Sequence, residues 1–284
     1  MAAVADLAQA GTSAPAPRAV ARRRERPQAW RWVILILVGL YFAIPLYAAF
    51  KFAGFKAFPK VFGQAGFADA FTLSLRLALI TTVITLVLLV PTTVYVHLRL
   101  PGIRRLMESV TILPIVIPPI VLIVGVLEIA PGFLKASPNL LGLEYVVLAM
   151  PFAYRSLDAG LRALDLKTLV EASNSLGARM PVTLWRVVLP NLRTALLSAV
   201  VLTVALVLGE YTMASLALYQ TFPVWIYVNS QTSGQVSVAA SLLALFVTWL
   251  FLMAITVIGT RQSRKTGGGS VTLFTVARQE TRGN

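Results

Sequence analysis

Ionisable side chains that could do chemistry are few in the apolar stretches of this sequence. Glu210, in "LVLGEYTMASLAL", lies deepest in such a stretch. A carboxylate is costly to bury in hydrocarbon, so it usually faces water, a cation or hydrogen-bond donors. We therefore expect Glu210, with its neighbour Tyr211, to line or gate a polar pathway. The alternatives are a structural hydrogen bond to a neighbouring helix and a loop position beyond the helix end.

The sequence contains few residues and motifs that could support enzyme catalysis. The only histidine, His97, stands beside Arg99 at a predicted helix end, where an interfacial role is commoner than catalysis or metal binding. There is no HExxH motif, Cys/His cluster or G-x-S-x-G motif, and the chain has no cysteine. The "GGGS" segment lacks the Lys and Ser/Thr spacing of a phosphate-binding loop. We predict a non-catalytic chain that binds no metal or cofactor itself.

The composition predicts an all-α integral membrane protein. Of 284 residues, 57% are hydrophobic and 13% are charged, and the mean hydropathy is +0.79. A spanning helix needs roughly 20 apolar residues. Six windows meet this condition, at about 32–50, 77–96, 109–127, 140–157, 195–218 and 236–259. The fourth window is the weakest because it contains Glu144 and Pro151, and a re-entrant or tilted segment is its alternative.

The distribution of basic residues predicts the orientation. Six spans put both termini on one side, and 20 of the 25 Lys and Arg residues fall on that side. The other side holds four, and Arg76 lies at a span edge. Positive residues favour the cytoplasmic side, so we expect both termini in the cytoplasm. The net charge of +14 is explained by this topology, and we predict no nucleic-acid partner.

The predicted organisation has three parts. Residues 1–31 form a disordered, basic cytoplasmic tail, and residues 32–260 form a six-helix transmembrane domain whose first helix is retained rather than cleaved as a signal. Residues 261–284 form a cytoplasmic C-terminal tail. Within the third window, "TILPIVIPPIVLIVG", prolines including Pro118 should kink the helix and free carbonyl groups. Such a broken helix suits a pathway, and a bent packing helix is the alternative.

Residues 165–190, between the fourth and fifth windows, are predicted to form a helix, a turn and a second helix. "DLKTLVEASNS" favours a helix, Gly177 permits a sharp turn, "VTLWRVV" favours a second short helix, and Pro190 closes it. The apolar residues of this segment need lipid, the bundle or a partner protein to cover them. They are Leu169, Ala172, Leu176 and Leu184.

This segment resembles the EAA loop of permease subunits in bacterial binding-protein-dependent ABC importers. The resemblance rests on Glu171 and Ala172, on Gly177 six residues after the glutamate, and on Val187 and Leu189-Pro190. Ser173 departs from the family pattern, which usually has a second alanine there. The loop also lies between the fourth and fifth helices, as in that family, and the similarity extends over roughly residues 70–260.

The resemblance implies a type I ABC importer permease fold in the bacterial inner membrane. It also implies a second permease subunit of a different sequence, an ATPase dimer that uses ATP and Mg, and a periplasmic or lipid-anchored binding protein. The residues it assigns to ATPase coupling are Glu171, Ala172, Ser173, Leu176, Gly177, Ala178, Val187, Leu189 and Pro190. Glu210, Tyr211 and Pro118 are expected along the pathway between the permeases.

The substrate expected from the resemblance is a polyamine. The six-helix length and residues 208–235 most resemble the permeases grouped with spermidine and putrescine uptake, and Glu210 would attract a cationic amine. The alternatives are thiamine, ferric iron, sulfate, molybdate and aminophosphonates. A secondary transporter or membrane scaffold that acts alone is a different class of protein. Secondary transporters often show inverted repeats and several midplane polar residues, and neither is visible here.

Overall fold

The computed structural model describes residues 29–266, and within this range the chain is helical with short connections. The helices are α1 Ala29–Ala53, α2 Ala57–Phe62, α3 Phe67–Arg99, α4 Arg104–Val116, α5 Pro119–Ile129, α6 Gly132–Lys135, α7 Asn139–Arg162, α8 Leu166–Ser175, α9 Met180–Thr183, α10 Leu189–Asn191, α11 Arg193–Gly209, α12 Thr212–Leu216, α13 Phe222–Ser230 and α14 Gly234–Thr266. A π-helical turn, Leu184–Val188, joins α9 to α10. No strand occurs in the described range, which confirms the all-α prediction.

The chain divides into two compact units, of which the first ends at Tyr47 and the second begins at Ala48. All the candidate site residues lie in the second unit. Most of the predicted tail 1–31 lies outside the described residues, as do residues 267–284. Residues 261–266, which we assigned to the C-terminal tail, still belong to α14.

Four described helices are long and apolar enough to cross a membrane, and the number is six if each of two bent helix pairs forms one span. The four are Trp30–Ala53, Phe67–Arg99, Asn139–Arg162 and Gly234–Val257. The fourth predicted window is therefore one continuous helix, α7, and its interior Pro151 does not break it. This continuity favours a crossing helix over the re-entrant alternative.

The third window, 109–127, is broken at its prolines, as the sequence predicted. The helices α4 and α5 meet at a bend of 95°. Ile117 has φ −81° and ψ 122°, and Pro118 has φ −57° and ψ 136°, so both residues are extended. The reason is local, because a residue before proline is pushed out of the helical region and two consecutive prolines remove two backbone donors.

The fifth window, 195–218, was predicted too long. The helix α11 ends at Gly209, and Glu210 has extended backbone angles of φ −79° and ψ 124° before the short helix α12. Glu210 thus occupies a junction between two helices, as in the loop alternative, rather than the middle of a span.

The buried core follows α3 from one end to the other. Leu77 packs near the start of the bundle with residues of α5, α7, α11 and α12, and Leu89 packs in the middle with α7 and α11. Val94, near the end of α3, packs with Leu166 and Val170 of α8 and with Leu192. The core therefore holds α8 against the end of the bundle at which α3 and α7 end. We call this end the loop end.

The helices α7 and α11 approach closely near the loop end. A Cβ atom added to Gly160 of α7 would lie 2.4 Å from the Cβ of Ala195 on α11. Carbon atoms that are not bonded to each other do not approach this closely. Gly160 is therefore required by the packing of the two helices that flank the predicted coupling segment.

Candidate coupling loop and buried carboxylate

Residues 163–192, which join α7 to α11, form the segment that we call the coupling loop. Its helix α8 begins at Asp165, whose carboxylate accepts hydrogen bonds from the Thr168 backbone nitrogen at 3.3 Å and from the Thr168 hydroxyl at 2.7 Å. These two hydrogen bonds hold the pKa of Asp165 below its ordinary value. Such a side-chain cap satisfies amides that have no partner in the first turn of a helix.

Gly177 makes the turn after α8. Its φ is +78°, and the amides of Gly177 and Ala178 donate to the carbonyls of Asn174 at 2.8 Å and Ser173 at 3.1 Å. This pair of hydrogen bonds is a Schellman motif, in which glycine adopts the left-handed conformation at no steric cost. The structure thus confirms the predicted helix and turn, and it leaves Leu176 89% exposed.

Ser173, which departs from the expected alanine, has a structural partner that the sequence did not reveal. Its hydroxyl lies 2.8 Å from the hydroxyl of Thr183, and both side chains are buried. The bond ties α8 to α9 across the turn at Gly177. Because a serine and a threonine ten residues apart carry no periodic signal, sequence reasoning could not have paired them.

The second half of the coupling loop returns the chain to the bundle. Val188 is fully buried, whereas Val187 and Leu189 are partly buried and Pro190 is exposed. The carbonyl of Pro190 accepts a 2.6 Å hydrogen bond from the Arg193 Nε atom. The chain remains helical through Pro190 to Asn191, one residue beyond the predicted end, and then bends by 79° into α11.

The surface of the coupling loop exposes large apolar side chains. Leu176 is 89% exposed and Trp185 is 72% exposed, and Ala172 and Glu171 of α8 are also exposed. Beside them, a cleft of about 710 Å³ separates the end of α3 from α8. Its charged lining residues are Arg99, Lys167, Glu171 and Arg179. An apolar patch rimmed by charges is typical of a protein-binding surface.

Glu210 is 9% exposed, and both of its carboxylate oxygens have hydrogen-bond donors. Oε1 accepts from the Met213 backbone nitrogen at 2.8 Å. Oε2 accepts from the Tyr145 hydroxyl at 2.8 Å and from the Ala214 backbone nitrogen at 3.3 Å. The carboxylate therefore caps α12 and links it to α7, which matches the alternative of a structural hydrogen bond.

The other two predicted pathway residues have different surroundings. Tyr211 is 37% exposed, and its ring lies 5.3 Å from that of Tyr227 at an angle of 60°. Pro118 is exposed at the bend between α4 and α5. The side-chain donor to Glu210 is thus Tyr145 of α7 rather than the adjacent Tyr211. Whether Glu210, Tyr211 or Pro118 lines the pathway stays a prediction.

Comparison with known proteins identifies the family. Residues 98–267, which are more than half of the chain and include the whole coupling loop, match the family described as binding-protein-dependent transport system inner membrane component. The chain belongs to this family. It is therefore a multi-pass inner-membrane permease subunit, and ATP hydrolysis in such a transport system is the task of a separate partner.

Relatives of this permease are similar over most of their lengths. The molybdenum transport system permease protein ModB of Mycobacterium tuberculosis is 30% identical over 254 residues, which are 81% of this chain and 96% of the relative. The sulfate transport system permease protein CysW of Synechocystis is 30% identical over 244 residues, or 78% and 88% of the two chains. A probable molybdenum ABC transporter permease of Haloferax volcanii is 28% identical over 232 residues, or 75% and 86%. These names do not support the polyamine expectation.

Proposed function

We propose that this permease belongs to an ABC importer of a tetrahedral oxyanion, either molybdate or sulfate. The observation that carries the proposal is the similarity to the molybdenum and sulfate permeases over most of their lengths. Molybdate and sulfate share a tetrahedral shape and a charge of minus two, so one pathway can suit both. Sulfate and molybdate were among the alternatives that the sequence left open.

The geometry of Glu210 removes the main physical reason for a cationic substrate. That reason required a carboxylate free to attract an amine. Both oxygens of Glu210 already accept hydrogen bonds, from Tyr145 and from two backbone amides of α12. A role for Glu210, Tyr211 and Pro118 along the pathway remains part of the proposal, as residues that shape it.

In the proposed complex, this chain pairs with a second permease of a different sequence, an ATPase dimer and a binding protein that delivers the anion. ATP and Mg are used by the ATPase, and this chain binds no cofactor. The coupling loop docks on the ATPase through its exposed apolar residues, chiefly Leu176 and Trp185. Burying these apolar side chains against a partner protein is favourable, because it removes their apolar surface from water.

Three parts of the coupling loop have separate tasks in this proposal. Glu171, Ala172 and Leu176 contact the ATPase, because they are exposed on α8 and at its C-terminal cap. Ser173, Gly177 and Ala178 fix the shape of the loop through their hydrogen bonds and the left-handed turn. Val187, Leu189 and Pro190 connect the loop to α11. The loop and both termini then lie in the cytoplasm, as the basic residues predict.

Uptake by the reconstituted complex tests the substrate. The two permeases, the ATPase and the binding protein are placed in proteoliposomes with ATP inside, and labelled molybdate, sulfate, spermidine and ferric iron are supplied in turn. We expect uptake of molybdate or sulfate that depends on ATP and on the binding protein. Uptake of only spermidine or iron would disprove the oxyanion proposal. Uptake by this chain alone, driven by an ion gradient, would disprove the importer mechanism.

A further inference from the structure

The side chain of Asp158, in the last turns of α7, joins three helices at the loop end. Its carboxylate is 10% exposed. Oδ1 accepts a 2.9 Å hydrogen bond from the Arg104 Nε atom at the start of α4, and Oδ2 lies 2.6 Å from a guanidinium nitrogen of Arg162. His97, near the end of α3, places Nε2 3.1 Å from Oδ1 without hydrogen-bond alignment.

The charges around Asp158 alternate in sign across two facing helices. Arg162 lies four residues after Asp158 on α7, and it also approaches Glu108 of α4 at 3.9 Å. Glu108 in turn lies four residues after Arg104. Because residues four apart share a helix face, the four charges form a square of opposite neighbours between α4 and α7. The ring of His97 is fixed by a 2.8 Å contact between its Nδ1 and the carbonyl of Thr93.

The same end of α7 leads directly into the coupling loop. Only residues 163–165 separate Arg162 from α8. Leu161 of α7 packs in one buried cluster with Leu166 and Val170 of α8 and with Val94 of α3. A displacement of α8 therefore acts on α7 and α3 through packing. The start of α4 contacts this end of α7 through Asp158 and its charged partners and through a 3.5 Å hydrogen bond from the Tyr154 hydroxyl to the Arg104 carbonyl. Met107 of α4 also packs against the buried cluster of α3, α7 and α11.

We propose that Asp158 is a positioning residue for coupling. It holds the start of α4 to the end of α7, which packs on α3, as one rigid body, so that movement of the coupling loop reaches α4 and the bend at Ile117–Pro118. The inference rests on the proposed importer function, and it assigns a role to a residue outside the coupling loop. Asp158 suits this role because one poorly solvated carboxylate pairs with Arg104 of α4 and with Arg162 of its own helix, and removing it leaves two guanidinium groups without their shared partner.

Asp158→Asn tests the proposal because asparagine keeps the size of the side chain and removes its charge. The assay uses the complete complex in proteoliposomes with loaded binding protein, and it measures molybdate or sulfate transported per ATP hydrolysed. We expect this ratio to fall about fivefold or more, the lower end of typical coupling between two sites. Glu128→Gln removes an exposed charge from α5 and should leave the ratio unchanged.

The transport ratio separates coupling from stability. A purely stabilising Asp158 would lower the amount of assembled complex and leave the ratio of transport to hydrolysis intact, and that result would overturn the proposal. If Asp158→Asn does not assemble, Arg104→Gln removes one partner instead and is judged by the same ratio. Failure of both variants to assemble would also assign Asp158 to stability alone. If the wild-type complex transports neither anion, the proposed function fails rather than this inference.

A covalent link between positions 104 and 158 tests whether α4 and α7 stay in contact during transport. The chain has no cysteine, so Arg104→Cys combined with Asp158→Cys introduces the only two thiols of this subunit. Partner subunits without cysteine complete the design. We expect the untreated double variant to be uncoupled and a short bifunctional thiol reagent to restore at least half of the wild-type ratio. Loss of transport upon cross-linking, with assembly intact, would show that the contact must open, and it would overturn the rigid-body proposal.

Discussion

The hydroxyl of Tyr145 on α7 donates a 2.8 Å hydrogen bond to Glu210 at the junction of α11 and α12. The two residues are 65 positions apart in the chain, and both are buried. Glu210 also caps α12 through two backbone amides. A single carboxylate therefore fixes the direction in which the chain leaves α11.

Glu210→Gln should destabilise this permease, although glutamine has nearly the same shape. Each carboxylate oxygen faces at least one backbone amide, so the amide nitrogen of glutamine would oppose a donor in either orientation. A buried donor or acceptor without a partner costs about 1–3 kcal/mol. We expect a lower melting temperature of the purified complex. Tyr145→Phe removes one donor and leaves both backbone bonds, so its effect should be smaller.

A structural role and a pathway role of Glu210 predict different results in this experiment. If the carboxylate is structural, uptake should follow the amount of folded complex in both variants. A Glu210→Gln complex that melts like the wild type but transports poorly would instead place the charge in the pathway. Wild-type melting and wild-type uptake together would contradict both roles.

Gly160→Ala should weaken the contact between α7 and α11. The added carbon would lie 2.4 Å from the Cβ of Ala195, and overpacking of this kind costs about 1–3 kcal/mol. We expect a lower melting temperature of the complex. Combining the change with Ala195→Gly should restore most of the loss, because the opposing carbon is removed. Gly125→Ala on α5 is the matched control, since its added carbon has no neighbour within 4 Å. An equal loss in the control would refute the packing explanation.

The parts of this fold that are predictable from sequence are those with local causes. The length of the apolar stretches predicts α3, α7 and α14. The glycine at 177 predicts a turn, because a turn depends only on the local backbone conformation. The ends of helices were less predictable. Glu210 was predicted to lie within a span because mostly apolar residues continue to Leu218. The end of α11 before Glu210 depends instead on the hydrogen bonds that Glu210 accepts from α12 and from Tyr145.

The charged cluster at the loop end shows why distant pairing escapes sequence analysis. His97 was interpreted as an interfacial residue, and its neighbour Asp158 was not selected at all. The approach of the two side chains requires α3 and α7 to pack side by side, and the sequence gives no register for that packing. Conversely, the family pattern in the coupling loop was visible because its residues are close together in the chain.

The cap at Asp165 predicts a pH dependence of α8. The two hydrogen bonds from Thr168 lower the pKa of Asp165, so their stabilising effect is complete above the ordinary pKa of about 4 and is lost as the pH falls through the lower folded value. We expect amide exchange in the first turn of α8 to be protected equally from pH 8 to pH 5 and less protected below about pH 4. Asp165→Asn keeps a capping oxygen that does not titrate, so an unchanged pH response in this variant would refute the assignment.

The basic residues predict the orientation of the termini and of the coupling loop. Reporter fusions after residue 30, within residues 160–190 and after residue 262 should all be active on the cytoplasmic side, because basic residues near span ends are retained there. A fusion near Lys135, at the end of α6, should report the opposite side. A periplasmic signal from the fusion within residues 160–190 would contradict the assignment of the coupling loop.

Gly177→Val tests whether the turn after α8 is needed for coupling. The φ of Gly177 is +78°, and a β-branched residue there is strained by roughly 1–3 kcal/mol, although an added Cβ meets no atom within 4 Å. We therefore expect the turn to change shape while the chain still inserts and accumulates. Uptake and ATP hydrolysis stimulated by the binding protein should fall together, because Leu176 and α8 no longer meet the ATPase correctly.

Gly102→Val, at a glycine with no positive φ and no neighbour within 4 Å, should retain both activities. Gly177→Asn should retain more activity than Gly177→Val, since asparagine tolerates the left-handed region. Normal transport by the valine variant, or failure of the protein to accumulate, would refute a specific coupling role for this turn.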